Sequence, residues 1–177
     1  MIRLARPEDV AGIERLIDAS VRGLSAGDYD ARQIESALRH MFGVDTQLVA
    51  DGTYFVATEG DRFVGCGGWS RRRTLFGADR FKSPGVDDRL DPAREPARIR
   101  AFFVHPDRAR RGIGRRIIAL CEEAARRAGF TRAELMATRP GEPLYAAMGY
   151  AVLERVDVAL PDGLVLPCAR MARDLGP

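Results

Sequence analysis

Val104-His105-Pro106-Asp107-Arg108-Ala109-Arg110-Arg111-Gly112-Ile113-Gly114-Arg115-Arg116 decides how this chain folds. The apolar run from Ile99 to Val104 leads into it and reads as a central strand. The segment from Ile113 to Ala128 leads out of it, with Ile113, Ile117, Leu120, Cys121, Ala124 and Ala128 at helical spacing and Gly129 as the stop. Two glycines stand where the loop becomes the helix. Such a joint leaves backbone N–H groups bare at the positive end of a helix dipole, which makes a seat for a phosphate. Two phosphate motifs are excluded. A dinucleotide-binding turn needs a third glycine where this chain has Ile117, and a nucleotide P-loop needs Gly-Lys-Ser/Thr, whereas the only lysine is the distant Lys82.

Upstream, Ile2 to Leu4 reads as a short strand. Pro7-Glu8-Asp9 opens a helix with Val10, Ile13, Leu16, Ile17 and Val21 on its apolar face, and Gly23 is expected to end it. Asp30, with Gln33 three residues on, predicts a capping box and a second helix striped by Ile34, Leu38 and Met41. Tyr54 to Ala57 and Arg62 to Trp69 read as antiparallel strands joined at Glu59-Gly60-Asp61. The glycines before Trp69 predict a bulge or a close backbone approach. Residues 71–97 show no period and read as a long loop that is either a functional cover or disordered. Downstream, Arg132 to Ala137 is a strand, and Pro140 is placed in the first turn of a short helix carrying Tyr145. Tyr150 to Val158 and Leu164 to Met171 close the chain as strands around Pro161-Asp162-Gly163.

The 177 residues are expected to form one domain, 1–177, able to bury about 70% of its unfolded surface. A net charge of +3 is too small to argue for nucleic acid, and the arginine-rich loop needs no such partner. No apolar run is long enough for a membrane span, and no signal-peptide core precedes residue 7. Three cysteines without a Cys-x-x-Cys pair fit a reducing, cytoplasmic setting. Cys121 reads as a small core residue. His40 and His105 lack ligand-type neighbours, so no metal site is expected; His105 reads as a strand-end residue. Arg115, Arg116, Arg126 and Arg127 read as the wet face of a helix.

Phe103-Val104-His105-Pro106 followed by Arg111-Gly112-Ile113-Gly114 resembles motif A of the GNAT superfamily of acyl-CoA-dependent N-acyltransferases. Pro143-Leu144-Tyr145-Ala146-Ala147-Met148-Gly149-Tyr150 is similar to its motif B, in the right order and spacing. The resemblance covers residues 98–152 most closely. One departure is that the Arg/Gln of motif A falls on Ala109, flanked by Arg108 and Arg110.

The resemblance implies an α/β (α+β) fold: a mixed, mostly antiparallel twisted sheet with helices on both faces, in the order β-α-α-β-β-β-α-β-α-β-β. Two central parallel strands splay apart there to admit CoA. It implies acetyl-CoA as co-substrate, held through Phe103, Val104, Ala109, Arg110, Arg111, Gly112, Ile113, Gly114 and Arg115. The pyrophosphate would sit on the loop amides and the pantetheine arm on the strand edge near Phe103 and Val104, where a strand N–H would also polarise the acyl carbonyl. Tyr145 becomes the acid that protonates the leaving thiol. The glutamate that some members carry on the central strand falls on Arg98. Glu95, Asp28, Asp79, a water chain or an already neutral acceptor remain as alternatives for the base. The acceptor side would be bordered by 23–29, with Tyr29, by Trp69 to Arg73 and by the 71–97 loop.

The leading expectation is an N-acetyltransferase acting on a small-molecule amine or a peptide N-terminus by direct attack in a ternary complex. The alternative is a non-catalytic acyl-CoA-binding sensor. A homodimer through the C-terminal strands is a further implication of the resemblance.

Overall fold

The computed structural model describes residues 1–82 and 88–176. Seven strands form one sheet: β1 (Ile2–Leu4), β2 (Tyr54–Glu59), β3 (Arg62–Ser70), β4 (Ala97–Val104), β5 (Arg132–Thr138), β6 (Ala151–Ala159) and β7 (Val165–Asp174). Their order is β1-β2-β3-β4-β5-β7-β6. Every neighbouring pair is antiparallel except β4 with β5, which are joined by a crossover through α4 (Ile113–Arg127). The remaining helices are α1 (Val10–Ser25), α2 (Ala31–His40), α3 (Thr46–Ala50) and α5 (Glu142–Ala147).

Alternation along the strands sends apolar side chains to both faces, so both must be covered. On one face Ile113, Ile117, Ile118, Cys121 and Ala125 of α4 pack with Tyr145, Tyr150, Phe130 and Leu135. On the other, Ile13, Leu16, Ile17 and Val21 of α1 pack with Ile34 and Ala37 of α2 and with Tyr54, Val56 and Leu166. Asp30 caps α2 as the sequence indicates: its carboxylate accepts from the Gln33 N–H at 2.8 Å, while Gln33 accepts from the Asp30 N–H at 3.0 Å.

Three local expectations need correction. Helix α1 runs through Gly23 to Ser25. Gly23 serves packing, since a Cβ there would stand 2.2 Å from Pro106 Cγ. Pro140 lies in the turn before α5, whose first-turn proline is Pro143. The short α3, capped by Asp45, was not anticipated; five residues show no readable period. In the 71–97 cover, residues 83–87 lie outside the described residues. Residues 71–82 and 88–96 carry a short 3-10 helix, Asp79–Phe81, and an isolated bridge between Arg72 and Arg89.

Candidate active site

The strand–loop–helix joint has the local geometry its sequence implies. A 3-10 turn at Pro106–Arg108 hands the chain to Arg110 (φ +60°) and Gly112 (φ +78°), the N-cap of α4. The first bond of the α4 ladder runs from the Arg116 N–H to the Gly112 carbonyl, 3.1 Å. Among the described residues the N–H groups of Arg110 to Arg115 therefore have no backbone acceptor. Ala109, expected in the seat, is not free for it: its N–H donates to the Pro106 carbonyl at 3.1 Å. Arg108 is committed to Glu59, Nε to Oε2 2.7 Å, which holds that carboxyl below its usual range. Arg110, Arg111 and Arg115 are exposed at the seat. Gly114 has a different reason from Gly112. A Cβ on it would lie 2.7 Å from Leu144 Cδ2, so this glycine lets α5 close onto the first turn of α4.

Strand β4 carries a bulge. Arg100 faces Gly68 and Phe103 faces Cys66, so Ala101 and Phe102 together oppose Gly67. Ala101 sits at φ +58°, a conformation rarely taken by a residue with a side chain. The Phe102 ring lies over Gly67, 2.6 Å from where a Cβ would stand, which answers the glycine signal before Trp69. On its other edge β4 pairs with β5 only at Ala97–Ala133 and Arg98–Glu134. Beyond that point the two parallel strands diverge and β4 presents an unpaired edge.

The bulge also resets which amides face that edge. The Phe103 N–H is turned to β3, against the Cys66 thiol, and the His105 N–H donates to the Val64 carbonyl at 3.0 Å. Alternation places the N–H groups of Phe102 and Val104 on the open side. That of Val104 donates to Ser20 Oγ at 3.3 Å. Phe102, not Phe103, is thus the strand residue whose N–H faces the gap. The sequence pattern missed it because nothing in Ala101-Phe102 announces a bulge.

A cleft of about 650 Å³, counting its open mouth, fills the gap. Ile99 to Phe103 of β4 form one wall, and Met136 and Thr138 of β5 the other. Residues 41–43 and 75–78 roof it, and Tyr145 closes the end against Gly141. Tyr145 is buried edge-on to Phe102 and Tyr150, with ring centroids 6.2 and 6.0 Å away. Among the described residues its hydroxyl has no hydrogen-bond partner, and burial raises its pKa above the ordinary phenol value. Helix α5 is pinned from behind: Tyr150 donates to Glu122 of α4 at 3.0 Å, and Arg173 of β7 grips the same carboxylate at 2.9 Å.

Other expected site residues lie elsewhere. Trp69 is a core residue, edge-on to Phe130 at 6.2 Å on the α4 face, and does not line the cleft. Tyr29 stands behind the β5 end of the cleft: its hydroxyl donates to the Pro167 carbonyl at 2.6 Å and accepts from the Arg139 N–H at 2.9 Å. Arg98 stands 3.3 Å from Glu134 at the last β4–β5 pair. Glu95 binds Arg73, Asp79 accepts from the Thr46 N–H, and neither lines the cleft, nor does Asp28. A buried cluster was missed altogether. Asp45 takes Arg100 Nε at 2.8 Å and also pairs with Lys82, while Arg100 Nη1 donates to the Thr74 carbonyl at 2.9 Å. These bonds tie the roof segment to β4. The signal for it was Asp45-Thr46 as a helix cap, too short to register. Among the described residues no group of metal-ligand side chains occurs, and no helix is long and apolar enough to cross a membrane.

Comparison with known proteins adds the family context. A model of the acetyltransferase (GNAT) family matches residues 15–150. A GCN5-related N-acetyltransferase from Rhodopseudomonas palustris is 24% identical, covers 98% of this chain and 94% of its own, and superposes with a TM-score of 0.69. The PaiA N-acetyltransferase from Thermoplasma acidophilum, solved with coenzyme A, gives 15% identity, 98% of each chain and a TM-score of 0.66. The yncA protein of Salmonella typhimurium, a putative acetyltransferase solved with acetyl-CoA, gives 17% identity, 99% and 93% coverage and a TM-score of 0.62. These likenesses establish the shared fold. No curated protein matches the sequence.

Proposed function

The chain belongs to the acetyltransferase (GNAT) family, and from that premise we propose that it moves an acetyl group from acetyl-CoA to a primary amine on a small molecule or a peptide N-terminus. The observation that carries this reading is the conjunction of six bare amides at the start of α4 with the bulged, unpaired edge of β4 and Tyr145 in the cleft between. Acetyl-CoA supplies a thioester-activated acetyl group and a pyrophosphate, and the residues present fit both. The amides of Arg110 to Arg115 hold the pyrophosphate, with exposed Arg110, Arg111 and Arg115 adding charge. The open edge around Phe102 to Val104 orients the amide-bearing arm as an added strand. The Phe102 N–H faces the acyl oxygen and stabilises the charge that grows there.

Tyr145 delivers its proton to the departing sulfur. A phenol kept neutral by burial is suited to that task, because it holds its proton until a strong base forms beside it. Among the described residues no carboxylate lines the cleft. The acceptor nitrogen therefore enters unprotonated or releases its proton to water. The missing carboxylate is also the one observation that favours the alternative, a sensor that binds acyl-CoA without turnover. Amine-dependent release of free thiol from acetyl-CoA, screened over small amines and peptides, separates the two. Thiol release that requires an amine supports the transferase. Binding without thiol release across the panel would replace it with the sensor.

A further inference from the structure

The bulge on β4 requires support. Ala101 at φ +58° occupies a strained conformation that a residue with a side chain keeps only where its surroundings over-determine it. The support comes from two strands away. Tyr54, fully buried on β2, extends its ring across β3, and its hydroxyl donates to the Ala101 carbonyl at 3.1 Å. The path across β3 exists because residue 68 is glycine: a Cβ there would stand 3.1 Å from Tyr54 Cδ2 and 2.7 Å from Leu48 Cδ1. Cys66 Sγ completes the contact, 3.3 Å from the hydroxyl and 3.8 Å from the same carbonyl. Burial pushes this thiol up to about 12, so it remains a neutral neighbour of the phenol.

We propose that Tyr54 is a positioning residue for acetyl-CoA: its hydroxyl clamps the Ala101 carbonyl and so holds the Phe102 amide on the open edge of β4. The inference rests on the acetyltransferase reading, yet its mechanical basis stands on this chain's own contacts. Without the clamp, Ala101 relaxes toward ordinary extended backbone. The bulge then shifts, and the alternation that directs the Phe102 N–H into the gap is lost. Tyr54 touches neither donor nor acceptor; it acts through Ala101.

Tyr54→Phe keeps the ring and removes the clamp. Calorimetric titration of this variant should show the Kd for acetyl-CoA raised about three- to tenfold, the worth of one buried hydrogen bond. The Kd for 3′-phospho-ADP, the fragment that ends at the pyrophosphate, should be unchanged, since the loop amides do not depend on the bulge. Equal weakening of both ligands, or of neither, would overturn the proposal. A thermal cycle of Tyr54→Phe, Ala101→Gly and the double variant tests the clamp without any ligand. Glycine tolerates the left-handed conformation unaided, so the Tm loss from Tyr54→Phe should shrink in the Ala101→Gly background. Additive Tm shifts would refute the clamp. Failure of the unsubstituted protein to bind acetyl-CoA would strike the functional reading, and the thermal cycle would still decide the clamp.

Discussion

Tyr145 meets the requirements of a proton donor in three separate ways: it lines the cleft, its hydroxyl is unengaged among the described residues, and burial keeps it neutral. Removing the hydroxyl while keeping the ring, Tyr145→Phe, is expected to lower kcat about 10²-fold, the low end for general acid catalysis. Acetyl-CoA affinity in calorimetry should be preserved. An unchanged kcat would remove Tyr145 from the chemistry. The sign of its pKa shift sets the pH behaviour. A raised value leaves the acid form populated past the ordinary phenol pKa of about 10, so kcat should not fall between about pH 8 and about pH 10. A fall there that disappears in Tyr145→Phe would contradict the assignment. Tyr145 was singled out through the resemblance of Pro143 to Tyr150 to a family motif, and the structure sets it in the lining of the cleft. For Trp69 core and substrate wall were both open in the sequence, because large aromatics serve either, and only packing against Phe130 settles it as core.

Elements bring these residues together through close approaches that glycine permits. Leu144 of α5 fits against α4 because Gly114 has no Cβ. Gly114→Ala is expected to push α5 outward, at about 1–3 kcal/mol of overpacking, and to lower kcat while leaving the Kd for 3′-phospho-ADP unchanged. Leu144→Ala in the same chain should restore turnover. If the fragment also binds more weakly and Leu144→Ala restores nothing, Gly114 serves phosphate approach instead.

The start of α1 offers a stability test. Arg3 bonds Asp9 at 2.6 and 2.9 Å, and the Arg6 N–H adds a bond of 2.7 Å. Together, with the Arg3 guanidinium foremost, they hold the Asp9 carboxyl below its usual range. A depressed acid stabilises the fold fully above its unfolded pKa of about 3.9 and loses that contribution as pH falls through the lower folded value. Asp9→Asn should lower Tm at pH 7 by about 2–4 °C, corresponding to about 1 kcal/mol. The gap from the unsubstituted protein should narrow as pH falls below about 3.9 and the carboxyl takes up its proton; a gap that stays constant through that fall would mean the ion pair is not its source. The long helices and the capping box at Asp30 were readable because period and cap recur over many residues. Gly23 misled because a glycine required by Pro106 looks, in sequence, like a helix stop.

At the scale of the whole molecule, seven strands and two helical layers hold a single pair of neighbouring strands apart at one end. The parallel β4–β5 pair was implied by the resemblance to the family, and the crossover through α4 is the connection such a pair needs. The insertion of β7 between β5 and β6 was not readable, because strand order leaves no trace in alternation. The glycines before Trp69 signalled the irregularity between β3 and β4 but not that the extra residue falls on β4, since Ala101 carries no mark of its left-handed backbone and its support, Tyr54, lies two strands away. On the proposed reading, the splayed strands and the six bare amides form one acetyl-CoA site. Calorimetric titration of the full chain with acetyl-CoA tests it most directly. Such a site binds acetyl-CoA saturably and one-to-one, more tightly than 3′-phospho-ADP because the strand edge adds to the phosphate seat. Absence of saturable binding, or equal affinity for the two ligands, would contradict it.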